Sequence, residues 1–412
     1  MLRILHTGDW HIGRTLNGWA RRNEHAAALA EIERIIVERQ IDALIVAGDV
    51  FDSMAPSADA RGMFYGAMDR MHSRRPGLSS IVIAGNHDHA GQLEAPSVLL
   101  QRLGTRVVGT LRQVDGRLDT AKHHVVLKDA TGRPRGCVLV LPFLGVGDIP
   151  RIAPEECAGS AIVEGVRRLY RSAIAEALAA AGGLPLIVTG HLTLAGSAES
   201  EISERRILIG GEHAVPHDIF PPTVIYAALG HLHRPQWVGR ATVRYAGSLF
   251  PLSASERDYR HGVTVVSIDP DGGVSVEHLP LARPVPFIRL PASGALERSA
   301  IPDAFRELRL DPQLATELRP FVHVAVKVNG TAAGVRGEVD EIASGFPVRV
   351  AAPPEILRSC AIELTSDVAA APPPQLKDID PLDLFTQAFV ACHQMGPEEM
   401  HLRAFAAARE EV

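Results

Sequence analysis

Residues 79–88 read SSIVIAGNHD: a short apolar run, then Ala-Gly, then an amide, an imidazole and a carboxylate in succession. An apolar run of that length rich in β-branched residues predicts a buried strand. The polar triplet then falls where the strand stops. The pattern recurs as RILHTGD at 3–9, IDALIVAGD at 41–49, LPLIVTGH at 184–191 and VIYAALGH at 224–231. Between these runs, 24–40, 57–74 and 160–181 carry apolar residues at helical spacing with polar opposite faces. A β-α-β-α-β order is complete by residue 85, which predicts an α/β sheet. Ligands gather at the carboxyl ends of strands in such sheets. Every run ends in Asp, Asn or His, so one shared site is expected.

Farther out, shorter alternating strands appear: TRVVGTL, HHVVLKD and GCVLVLPFL between 105 and 144, then ATVRYAGS, GVTVVSID and VSVEHLP between 241 and 280. These are expected to form a second sheet packed on the first. Prolines accumulate in ARPVPF at 282–287, which sets a boundary near 283. Beyond it, PFVHVAVKVN, VRGEVDEIA and PVRVAAP predict a small separate α/β unit over 283–370. The segment APPPQ at 371–375 is a stiff spacer. It precedes two helical stretches, 380–394 and 397–411, so 371–412 reads as a linker and docking tail.

Composition narrows the function classes. The chain has 412 residues, 46% hydrophobic and 22% charged, with a net charge of -6. Those values fit a soluble globular protein of two or three domains, at roughly 150 residues each. They exclude a wholly basic nucleic-acid wrapper but leave a local basic groove possible. The four cysteines, Cys137, Cys157, Cys360 and Cys392, contain no CxxC spacing, so no disulfide framework or structural zinc site is indicated. No stretch approaches the ~20 apolar residues of a membrane helix, and no secretory leader is visible at the N-terminus. A cytoplasmic protein without membrane association is expected.

The strand ends supply seven candidate metal ligands: Asp9, His11, Asp49, Asn86, His191, His231 and His233. Mixed carboxylate, amide and imidazole donors suit Mn, Fe or Zn. Seven are too many for one ion that keeps a position open for chemistry. Two ions sharing one carboxylate account for the number. A lone His after a strand is more often a satisfied structural residue than a ligand; five such endings in one chain point to a site.

These motifs resemble the calcineurin-like binuclear metallophosphoesterases and, among them, the SbcD-type nuclease subunits, bacterial counterparts of the archaeal and eukaryotic double-strand-break repair nucleases. The resemblance rests on GDWHIGRTL at 8–16, GDVFDSMAPS at 48–57 and AGNHD at 84–88. It also rests on ESEISERRILIGGEHAV at 199–215, IFPPTVIYAALGHLHRPQ at 219–236 and VRYAGSLFPLSASE at 243–256. It implies a two-sheet sandwich flanked by helices over 1–282, a capping or DNA-binding domain over 283–370, and a tail that docks on an SbcC-type coiled-coil ATPase. It further implies that Asp9, His11, Asp49 and His233 hold one divalent ion, most often Mn, while Asp49, Asn86, His191 and His231 hold the other.

His87 follows a ligand directly and is expected to face the leaving oxygen as an acid. Asp52, three residues after Asp49, is expected to hold the His87 ring; the alternative is a helix N-cap. For DNA, Arg14, Arg21, Arg22, Arg205 and Arg206 are candidate phosphate contacts, or else merely solvated charges. Met63, Phe64, Ala67, Met68 and Met71 form one stripe within 57–74, either core or a homodimer interface. Three function classes follow: a DNA exonuclease and endonuclease that opens hairpins and ends with an ATPase partner, a small-molecule phosphodiesterase or phosphatase, and a nonenzymatic scaffold. The complete ligand set argues against the scaffold, and the residues after 283 against a minimal phosphatase.

Overall fold

The computed structural model describes residues 1–358 apart from 116, 158, 200–213 and 329–331, and 382, 385, 386, 389, 396–402 and 405 in the tail. Leaving aside short hairpins and single turns, the strands of the first 280 residues are β1 (Leu2–Thr7), β2 (Ala43–Val46), β3 (Ser79–Ile83), β4 (Thr105–Val108), β5 (His124–Lys128), β6 (Pro134–Val140), β7 (Leu186–His191), β8 (Val224–Gly230), β9 (Gln236–Val238), β10 (Arg240–Tyr245), β11 (Gly262–Ile268) and β12 (Val274–Pro280). The long helices are α1 (Arg22–Glu38), α2 (Ala58–Arg74) and α3 (Ala161–Ala180). Ser57 and Ser160 cap α2 and α3 by accepting the Ala60 and Val163 amides.

Two six-stranded sheets result, ordered β12-β11-β1-β2-β3-β4 and β9-β10-β8-β7-β6-β5. Side-chain alternation decides what each strand faces. On β2, Ala43 and Ile45 join the core between the sheets, while Leu44 and Val46 join the core beneath α1 and α2. Cys137 and Leu139 on β6 pack under α3, while Val138 and Val140 meet the other sheet. Helix, sheet, sheet and helix therefore stack in four layers. Each buried Leu or Ile contributes roughly 1.5–3 kcal/mol of apolar transfer.

Strand allocation differs from the sequence expectation. The runs at 184–191 and 224–231 belong to the second sheet, whereas TRVV at 105–108 and the strands of 262–280 belong to the first. Period and composition identify a strand but say nothing about its neighbour. Here β11 returns antiparallel to β1, with Leu2 opposite Ile268, and closes the first sheet.

The stretch 287–358 forms its own sheet, β13 (Phe287–Leu290), β14 (Phe321–Val328) and β15 (Arg349–Val350), with β16 (Glu355–Arg358) also paired to β14. All its pairings are parallel, and α4 (Ile301–Glu307) and α5 (Val335–Ser344) cover it through Ile301, Phe305, Val335 and Val339. This sheet belongs with the preceding residues to one compact unit, 1–359. Leu16, Val285, Phe321 and Ala351 share a small core at the junction.

Of the two readings of the α2 stripe the packing supports the core: Phe64, Ala67, Met68 and Met71 lie in the chain's own core under the first sheet, with Met63 packed against it. The expectation for Arg21 fails. Arg21 is buried, 2% exposed. Its guanidinium binds Glu24 and the Pro251 carbonyl and stacks over Phe250 at 4.4 Å and Phe321 at 5.1 Å. A side chain held this way reaches no phosphate. In the second unit, residues 360–412, Phe385 stacks on Phe405 at 4.5 Å and Phe389 lies 4.7 Å from His401. Among the described residues no helix is long and apolar enough to cross a membrane.

Candidate metal centre

The loops after β1 and β2 run side by side. The Asp9 amide donates to the Gly48 carbonyl at 3.0 Å, His11 to Asp49 at 3.0 Å and Ile12 to Val50 at 2.9 Å. Asp9, His11, Asp49 and His231 all have positive φ, at 51°, 47°, 49° and 100°. Non-glycine residues rarely adopt this region, and strain of this kind clusters at functional sites. Gly48, at φ 92°, has no room for a side chain, because a Cβ would run into the His191 ring. At Gly85 a Cβ would strike the Asp49 carboxylate. These two glycines let the loops close on one point.

All seven predicted ligands converge there, drawn from both sheets. Ligand atoms of Asp9, His11 and His233 lie within 4.8 Å of one another, as do those of Asp9, Asp49 and His191. Asn86 Oδ1 sits 3.0 Å from His191 Nε2 and 3.1 Å from His231 Nδ1. Backbone amides set the carboxylates: His87 N–H donates to Asp49 Oδ1 and His231 N–H to Asp9 Oδ1, each at 2.8 Å.

The donor chemistry fits divalent cations. Asp9 Oδ2 and His11 Nε2 are buried with no hydrogen-bond partner among the described residues, and a polar atom buried in that way is costly unless something meets it. His191 directs Nδ1 to the Ala47 carbonyl at 2.9 Å, and a carbonyl only accepts, so Nδ1 carries hydrogen and Nε2 faces the site. Asp52 accepts from His11 Nδ1 at 3.2 Å, which likewise turns His11 Nε2 inward. Partners of this kind fix ligand tautomers.

Electrostatics keep two of the imidazoles, His11 and His231, ready to ligate. Burial lowers His11 to about 4 and His231 to about 3, so both rings are neutral at physiological pH. Burial also lifts Asp9 to about 7. Burial alone would raise Asp49 as well, but the imidazole of His191, with those of His11 and His87, pulls it well below the carboxylate range. His191 shows the reciprocal effect: its burial opposes charge, yet the Asp49 carboxylate holds it up at about 9. A cation at this point competes with that proton.

His87 lies beside the ligand cluster, held by a different partner than expected. Its ring lies 4.7 Å from the His11 ring, and its Nδ1 donates to the main-chain carbonyl of Asp52 at 3.0 Å. The Asp52 carboxylate instead binds His11 and the Arg14 guanidinium, the latter at 3.0 Å. The expectation that this carboxylate holds His87 is corrected. The capping alternative also fails, because Ser57 caps α2. Arg14 is engaged at the rim of the site, and Arg22 is largely exposed, 4.0 Å from an exposed Asp59. Arg205 and Arg206 lie outside the described residues.

Two carboxylates inside the quoted motifs were given no role from sequence. Asp88 accepts the amides of Val50, Phe51 and Gly85 at 2.9–3.1 Å, and so ties the second ligand loop to the third. Glu256 accepts from His233 Nδ1 at 2.8 Å. The position of Asp88, directly after His87, was the available signal for it. Glu256 is 23 residues from its partner, and no spacing rule joins them.

Residues 2–235 match the calcineurin-like phosphoesterase family. The chain is 44% identical to the SbcD component of the SbcCD nuclease from Rhodobacter capsulatus, over 94% of each protein. It is 33% identical to the Bacillus subtilis SbcD over 72% of this chain and 73% of that one. Identity to the Escherichia coli K12 SbcD is 34%, over 70% and 71%. The chain belongs to the calcineurin-like phosphoesterases and, within them, to the SbcD nucleases, hydrolases of phosphodiester bonds.

Proposed function

We propose that the chain is the nuclease subunit of an ATP-regulated complex that cuts DNA ends and hairpins, acting as exonuclease and endonuclease with two Mn ions. The convergence of seven donors, among them the buried Asp9 Oδ2 and His11 Nε2 that lack a hydrogen-bond partner, supports this most directly. Asp9, His11, Asp49 and His233 would hold one ion, and Asp49, Asn86, His191 and His231 the other. A pair of ions so held supplies Lewis-acid clamping of a phosphodiester and an acidified water for in-line attack.

The remaining work falls to the chain. Asp49, kept ionised by the surrounding imidazoles, holds Oδ2 between His11 Nε2 and His191 Nε2, at 3.5 and 3.6 Å, while its Oδ1 accepts the His87 amide. Because the Asp52 carbonyl claims Nδ1–H of His87, Nε2 is the nitrogen that carries a proton to the departing 3'-oxygen. Asp52 steers His11 and restrains Arg14 at the rim of the site; Arg14 and the exposed Arg22 remain the proposed phosphate contacts.

The sheet of 287–358 is read as part of a 283–370 cap that guides DNA, and 371–412 as the dock for an SbcC-type coiled-coil ATPase. A homodimer through 57–74 would use the outward side of α2. There Tyr65 and Arg61 line a cavity of about 330 Å³ with exposed Met54 and Pro96. The cytoplasm is the matching compartment. A hairpin-ended duplex incubated with the purified chain, its ATPase partner, ATP and Mn tests the reading: opening of the hairpin that EDTA abolishes is expected. Hydrolysis confined to small phosphate esters would overturn it.

A further inference from the structure

We infer that Glu256 is a positioning residue of the metal centre, fixing the His233 ring so that Nε2 is its ligand atom. This rests on the two-ion reading above. Glu256 is 0% exposed, and a carboxylate removed from water that completely is strongly disfavoured unless its oxygens are used. Both are. Oε1 accepts from His233 Nδ1 and Oε2 from the Leu252 amide, each at 2.8 Å.

The loop that carries Glu256 is itself fastened to the ligand it serves. The Ser248 amide donates to the His233 carbonyl at 3.1 Å. His261 approaches the Glu256 carbonyl with Nε2 at 3.1 Å and Ser248 Oγ with Nδ1 at 3.0 Å. Residues 248–261 thus close on both ends of the contact, and the carboxylate cannot swing away without breaking several bonds. A carboxylate on the remote nitrogen of a ligating imidazole fixes its tautomer and raises its basicity, and its loss typically costs about 10–100-fold in metal affinity. This gives the SASE segment at 253–256 a chemical role: it acts on the ion held by Asp9 and His11, not on the one held by Asn86 and His191.

Glu256→Gln isolates the charge, since the side chain keeps its size. One amide cannot accept from both His233 and the Leu252 N–H, so one contact must fail. Calorimetric Mn titration of the metal-stripped full chain should show two ions on the wild type. In Glu256→Gln one should weaken by about 10–100-fold with the other unchanged, while unfolding in EDTA stays a single transition lowered only by the one lost buried contact. Two ions at wild-type affinity in Glu256→Gln would overturn the inference alone. Fewer than two ions on the wild type would overturn the underlying reading with it. Equal weakening of both ions together with a lower unfolding temperature in EDTA would mark Glu256 as merely structural. Should Glu256→Gln not fold, Glu256→Asp, which withdraws the carboxylate by one methylene, should show the same loss at one ion. In a His233→Ala background, Glu256→Asp should then change nothing further; an additive loss there contradicts the assignment.

Discussion

His87 and Asp52 stand 35 residues apart in sequence and meet through a main-chain oxygen, which separates their roles. Because His87 donates Nδ1–H to that carbonyl and is proposed as an acid rather than a ligand, His87→Ala should retain both metals while cleavage falls by about 10²–10⁴-fold, the usual worth of a positioned acid. Metal analysis beside a single-turnover cleavage assay checks this, and lost metal would make His87 a ligand. Asp52→Asn should behave differently. The substitution leaves the carbonyl in place, so the hold on the His87 ring should not change. Weaker hold on His11 should instead lower the affinity of one ion by about 10–100-fold. A shifted pH–rate profile with intact metal binding would restore the carboxylate as the partner of His87.

Secondary elements were legible where local chemistry alone decides them. Residues 57–74 and 160–181 announced their helices by spacing, the serine caps of both emerging only in the structure, and each ligand-bearing run ended as a strand should. Sheet membership was not legible, because Ile187 and Ile45 have the same periodicity yet sit on opposite sides of one interface. Burial of charge was equally hidden. Arg21 looks like a solvated arginine in sequence, but the fold places Phe250 and Phe321 against it and Glu24 beneath it. Arg349, also buried and 3.9 Å from Glu24, joins the cluster from β15 and stacks 3.9 Å over Phe321. Removing one member of a buried ion pair costs about 3–5 kcal/mol. Arg21→Ala should therefore show a loss of that order in urea unfolding. An unchanged midpoint accompanied by weaker DNA binding would return Arg21 to the surface role expected from sequence.

Over the molecule as a whole, the two sheets enclose imidazoles that fold neutral. His6 lies fully buried between them, bonded to Tyr226 Oη at 2.9 Å and to the Leu229 carbonyl at 3.1 Å, and burial lowers it from 6.5 to about 3. Burial lowers His261 to about 4. Below about 6.5 the unfolded chain takes up protons that these folded rings refuse, so their contribution to stability is complete above that pH and shrinks as pH falls toward about 4. The urea midpoint in EDTA should accordingly drop between about pH 7 and pH 5, and His6→Gln should flatten that slope. A slope left unchanged by His6→Gln would mean that His6 is protonated in the folded state.

The same convergence of sheets underlies the centre itself, where Asp49 lies between His11 on one side, 3.5 Å away, and His191 on the other, 3.6 Å away. The claim that two cations share this carboxylate is tested most directly by counting metal. Wild-type chain and Asp49→Ala, stripped and reloaded with Mn, are compared by elemental analysis after gel filtration. Two ions per wild-type chain and fewer than one per Asp49→Ala chain are predicted, since two close cations repel once the shared negative charge is gone. One ion on the wild type, or two that survive in Asp49→Ala, would contradict the account.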